Sequence, residues 1–144
     1  MDTTSLAREF LRALRGRRSQ TAWSRRLGYK SNAAYAWEAG RRFPTASETM
    51  RIVGRSGRDV EAALTRWYGD RPRWLDTLDP TQPEAVSQLL NDLRGQTSIT
   101  DLARRAGLSR YSVSRWLSTT TQPRLPDFFT LLEAASVRLL DFVA

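Results

Sequence analysis

Apolar residues recur along this chain at the three- and four-residue steps of a helix, and no run alternates convincingly as a strand would. Ala7, Phe10, Leu11 and Leu14 predict a first helix ending at about Arg15, where Gly16 stops it. Ser19 has the chemistry of an N-cap for a second helix running through Leu27. Gly28 ends that helix and allows a tight turn. A third helix is expected over about 31–39, stopped by Gly40, with Pro44 closing the loop. Thr45 and Glu48 have capping-box spacing and open a fourth. Gly54 and Gly57 bracket its end. A fifth, over about 59–68, buries Val60, Leu64 and Trp67.

Residues 70–83 hold three prolines and mixed charge, and read as a linker between domains 1–69 and 84–144. Trp74, Leu75 and Leu78 could pack a short helix there. The second domain then repeats the order. Val86, Leu89, Leu90 and Leu93 line its first helix, and Ser98 begins its second with Asp101 at capping-box spacing. Ser109 begins its third, and Pro126 suits the first turn of its fourth. Leu131, Leu132, Ala135, Leu139, Leu140 and Val143 carry helical spacing to the last residues.

The repetition is literal. Shifted by 79 positions without a gap, Leu11, Leu14, Arg15, Gly16, Ser19, Thr21, Arg25, Arg26, Gly28, Trp37 and Pro44 meet identical residues. That is eleven identities in the 43 positions from Leu11 to Val53. Ordinary composition would give roughly three, so the chain holds a duplicated unit.

Composition narrows the chemistry. The net charge is +8, and Lys30 is the one lysine among 23 basic residues. Residues 1–79 carry 16 basic and 9 acidic side chains, a net +7; residues 80–144 carry 7 and 6, a net +1. Arginine preference by itself can reflect a GC-rich genome. The charge asymmetry instead favours a polyanionic partner for the first unit. There is no His and no Cys, so the commonest general base, the thiol nucleophile and the usual zinc ligands are missing. No Gly-rich phosphate loop occurs and the acidic residues are scattered. An enzyme, a metal site and a cofactor are therefore not expected. No stretch approaches a membrane span, and the polar N-terminus argues against a secretory signal, so a cytoplasmic protein is the expectation.

Both units resemble the Cro/C1 repressor type of DNA-binding domain, the XRE family. The first shows it in Ser19-Gln20, Arg25-Arg26-Leu27-Gly28-Tyr29, Trp37-Glu38-Ala39-Gly40 and Pro44. The second shows it in Leu102-Ala103, Gly107-Leu108-Ser109, Val113-Ser114-Arg115-Trp116 and Pro123. The resemblance implies an all-α protein of two tandem lambda-repressor-like helix-turn-helix domains, each of about five short helices. Its third helix would enter the major groove. Ser31, Asn32, Ala33, Tyr35 and Ala36 would then face bases, as would Arg110, Tyr111, Ser112 and Arg115. Arg17, Arg18, Ser19, Gln20, Lys30, Arg41, Arg42 and Ser98 would contact phosphates. Trp37, Trp116, Leu27, Leu102 and Val113 are expected in the core.

The units also differ. Lys30 stands where the family has a capping serine, leaving Ser31 to cap the third helix. Gln20 becomes Ile99 and Glu38 becomes Leu117. Arg17, Arg18, Arg41 and Arg42 become Gln96, Thr97, Thr120 and Thr121. The expected function is a sequence-specific regulator of transcription on double-stranded DNA, with the first unit supplying most of the phosphate affinity. The alternative is an antitoxin-like adaptor whose second unit binds a protein, since fold alone does not fix function. The apolar stretch 134–144 would serve a homodimer through the C-terminal helix, or lead into a further domain of a longer regulator.

Overall fold

A computed structural model of the chain describes residues 2–135. They form an all-α protein. The first half contains α1 (Thr3–Arg15), α2 (Gln20–Arg26), α3 (Ala33–Glu38), α4 (Ala46–Arg55) and α5 (Val60–Tyr68). The second contains α6 (Pro83–Arg94), α7 (Ile99–Ala106), α8 (Arg110–Leu117) and α9 (Leu125–Ala134). Among the described residues no helix is long and apolar enough to cross a membrane. Leu139, Leu140, Val143 and all of the expected 134–144 dimer stretch after Ala135 lie outside the described residues.

Local chemistry sets most helix ends. Asp2, Ser19, Thr45 and Asp59 cap α1, α2, α4 and α5 through their side-chain oxygens. Thr45 and Glu48 complete the capping box. Ser98 and Ser109 cap α7 and α8, and Pro126 stands in the first turn of α9. Each cap satisfies backbone N–H groups that the helix leaves open, a contribution of about 1 kcal/mol.

The turns that follow α2 and α7 match atom for atom. The Tyr29 amide donates to the Ser24 carbonyl at 3.0 Å, and Leu108 does the same to Ala103 at 3.0 Å. Gly28 and Gly107 make these turns possible at φ +95° and +67°, where a side chain is strained. Thr119 is the repeat partner of Gly40 and shares its positive φ, 65° against 74°. Its Oγ1 donates to Ser87 Oγ at 2.8 Å, which offsets part of that strain.

One apolar core runs through both halves, from Leu11, Trp23, Trp37 and Met50 to Leu89, Val113, Trp116 and Phe129. α1 packs on α9, and α6 packs on α4. The 70–83 stretch is pinned rather than loose. It forms a 3-10 turn at Arg73–Asp76 with Leu75 buried. Trp74 Nε1 donates to Tyr68 Oη at 3.4 Å, and Tyr68 Oη donates to Asp92 on α6 at 2.7 Å.

Candidate nucleic-acid interface

α3 is held against α2 by its buried side. Trp37 meets Trp23 edge-on at 5.6 Å and Tyr29 at 5.3 Å. Its C-terminal end is tied to α1. Arg15 Nε and Nη2 donate to the two carboxylate oxygens of Glu38, each at 2.8 Å. The forked geometry makes this pair stronger than an ordinary surface ion pair. In the second half Leu117 replaces Glu38, and the Arg94 guanidinium donates to the Thr97 carbonyl and to Asn91 Oδ1 instead.

The N-terminal end of α3 departs from expectation. Asn32, not Ser31, is the cap, and its Oδ1 accepts from the Tyr35 amide at 3.3 Å. Ser24 explains the shift. Fully buried on α2, it donates from Oγ to Asn32 Oδ1 at 3.3 Å and accepts from the Ala34 amide at 3.0 Å. Asn32 Nδ2 donates to Thr21 Oγ1 at 3.3 Å. The Asn32 side chain, expected to face bases, is thus engaged in holding the α2–α3 turn. α8 starts two repeat positions earlier, because Ser109 caps it where the first half has Lys30.

The exposed side of α3 opens on a groove. Ser31, Asn32, Ala33 and Ala36 line it together with Arg41, Arg42 and Arg124. Its wall is stiff. Arg51 lies over the Tyr29 ring at 5.3 Å and donates to Tyr29 Oη at 2.9 Å, and Tyr29 Oη donates to Glu48 at 3.0 Å. Burial first, then Glu48, pushes the Tyr29 hydroxyl up to about 12. Tyr35 is half exposed outside this groove, with the Arg41 guanidinium 5.7 Å over its ring.

α8 presents a different set. Tyr111 is 69% exposed. Arg115 lies over its ring at 5.2 Å and donates from Nη1 to Tyr111 Oη at 3.1 Å. Stacking of this kind contributes about 0.5–1 kcal/mol at exposed sites and steadies the cation. Arg110 is exposed and donates through Nε to Thr100 Oγ1 at 3.0 Å. Ser112 is half-buried in the first turn.

The expected phosphate contacts separate into groups. Arg41 and Arg42 are exposed beside α3, and exposed Lys30 precedes it. Arg17 and Arg18 lie elsewhere, in a shallow depression shared with Ser56, Gly57 and Arg58 at the end of α4. Ser19 and Ser98 have their hydroxyls committed to capping. Gln20 is half-buried at the first position of α2.

Arg124 is the residue that sequence reasoning missed. It belongs to the second half, yet it donates from Nη1 to the Phe43 carbonyl at 3.1 Å and joins Arg41 and Arg42. The available signal was its place in the repeat, opposite Thr45 immediately after the shared proline. Asp127 shares that second depression, and burial alone pushes its carboxyl above the ordinary value. The chain matches no protein-family model, no curated protein and no solved structure.

Proposed function

We propose that this chain is a sequence-specific, double-stranded-DNA-binding regulator of the Cro/C1 helix-turn-helix kind, with α3 and α8 as its two unlike reading helices. One observation carries the reading. Two short helices at the same repeat position bury their tryptophans and turn polar and aromatic side chains to solvent beside arginines. The major groove admits a helix, and arginine there forms two hydrogen bonds to guanine. Arg41, Arg42 and Lys30 grip the backbone around α3; Arg110 and Arg115 bring their charge on α8 itself. Such a protein acts by occupancy near a promoter, in the cytoplasm where bacterial DNA lies.

The test is selection of bound duplexes from a random pool at a fixed salt concentration, followed by gel shifts on the recovered site. Enrichment of a defined motif is expected. Changing Arg41 and Arg42 to Ala weakens binding to every duplex alike, because phosphate contacts are blind to sequence. Arg110→Ala relaxes selection at one base position. A pool that never enriches sinks the reading.

A further inference from the structure

The contacts between the two halves are reciprocal. The Ala46 amide donates to the Pro123 carbonyl at 3.0 Å, and the Leu125 amide donates to the Pro44 carbonyl at 2.9 Å. Residues 46 and 125 are one repeat position; 44 and 123 are another. Exchanging the halves therefore turns each bond into the other. Thr45 and Arg124, also one repeat position, face each other in an antiparallel bridge. The helices obey the same exchange. α6 is the repeat of α1, and α9 is the repeat of α4; α1 packs on α9 while α6 packs on α4. A head-to-tail arrangement joins two different patches and cannot give contacts that map onto themselves. A two-fold relation does so necessarily.

One exception to the symmetry is compensated in sequence. The Ser47 amide is accepted by Gln122 Oε1 at 2.9 Å. Its repeat partner, Pro126, has no amide, and the repeat partner of Gln122 is Phe43, which has no side-chain acceptor. The missing bond leaves nothing unsatisfied.

From this geometry we infer that the single chain is a covalently joined pseudo-dimer that reads an inverted pair of unlike half-sites. The inference rests on the DNA-binding reading above and fixes the polarity that reading leaves open. Tandem repeats in sequence suggest two heads tracking along the duplex in the same direction. Two-fold packing instead presents α3 and α8 to half-sites of opposite polarity. Unlike residues at their surfaces make the halves of the site unlike. Arg41, Arg42 and Arg124 gather beside the pseudo-axis, while Thr120 and Thr121 replace the first two in the other half. The cations therefore bear on one side of the centre, which favours one orientation of the chain.

The test makes the two helix surfaces alike in the full chain. Arg110→Ser, Tyr111→Asn, Ser112→Ala, Ser114→Tyr and Arg115→Ala together copy α3 onto α8. Selection from a random duplex pool is then expected to return an inverted repeat of one half-site. A direct repeat, or a single half-site, overturns the inference and leaves DNA binding standing. Failure of the unmodified chain to enrich any duplex overturns both.

A second measurement does not depend on that variant folding. The chain has no cysteine, so Ala22→Cys and Asp101→Cys, at one repeat position, each accept a single iron-chelate cleavage reagent. On the site selected by the unmodified chain, cuts at mirrored offsets on opposite strands are expected. Cuts at the same offset on the same strand overturn the two-fold reading. Inverting one half-site in place is expected to weaken binding more than about 10-fold.

Discussion

Phe10 of α1 meets Phe129 of α9 edge-on, with ring centroids 5.3 Å apart and planes at 80°. Both rings are buried, and each belongs to a different copy of the repeat. The core of each half is thus completed by the other. Phe129→Ala is expected to destabilise the chain by about 3–5 kcal/mol, the usual cost of emptying a buried phenylalanine site. The loss is expected in both halves at once. Urea unfolding followed by tryptophan fluorescence and by far-UV circular dichroism should show a single shared transition, shifted equally in the variant. Two separable transitions would contradict a common core.

Glu48 and Asp127 occupy the same repeat position but not the same surroundings. Glu48 accepts from Tyr29 Oη and completes a capping box. Asp127 is raised from 3.8 by burial. The folded chain therefore holds the Asp127 proton more tightly than the unfolded chain does. That stability is fully present below the unfolded value and is lost as pH rises through the folded one. At about pH 7 the buried charge is a net cost. Asp127→Asn is expected to raise the urea midpoint at about pH 7 and to leave it unchanged at about pH 3. It should also strengthen DNA binding, because it removes an acidic lining residue from beside Arg41, Arg42 and Arg124.

Arg124→Ala is expected to weaken binding on all duplexes and to flatten the dependence of log affinity on log salt by about 1. Titrations at several salt concentrations measure both. A change confined to particular base sequences would mark Arg124 as a base reader instead.

Thr119 is held in left-handed backbone by one short hydrogen bond to Ser87. Thr119→Ala keeps the strain and loses the bond, for an expected cost of about 1 kcal/mol. Thr119→Gly loses the bond but removes the strain, so it should be more stable than Thr119→Ala by about 1 kcal/mol. Thermal midpoints of the two variants give the order directly.

Much of the helical skeleton was legible in the chain, because its signals are local. Gly16, Ser19, Gly28, Thr45 with Glu48, Ser98 and Ser109 each act within a turn of their own position, so their effects follow from neighbours in sequence. The periodic apolar residues behaved similarly: Leu27, Trp37, Leu102, Val113 and Trp116 are all buried. The cap of α3 was misread because Ser24, eight residues before Asn32, decides which side chain turns inward.

What only the tertiary structure decided is everything that crosses from one copy to the other. Nothing near Arg124 in sequence places it beside Arg41 and Arg42. Nothing near Phe129 names Phe10 as its neighbour. A duplicated sequence reports that two units share an ancestor but carries no sign of how they face each other. That choice comes from long-range packing, where the apolar faces left open by each half close against the other half. The same packing sets the direction in which α3 and α8 point.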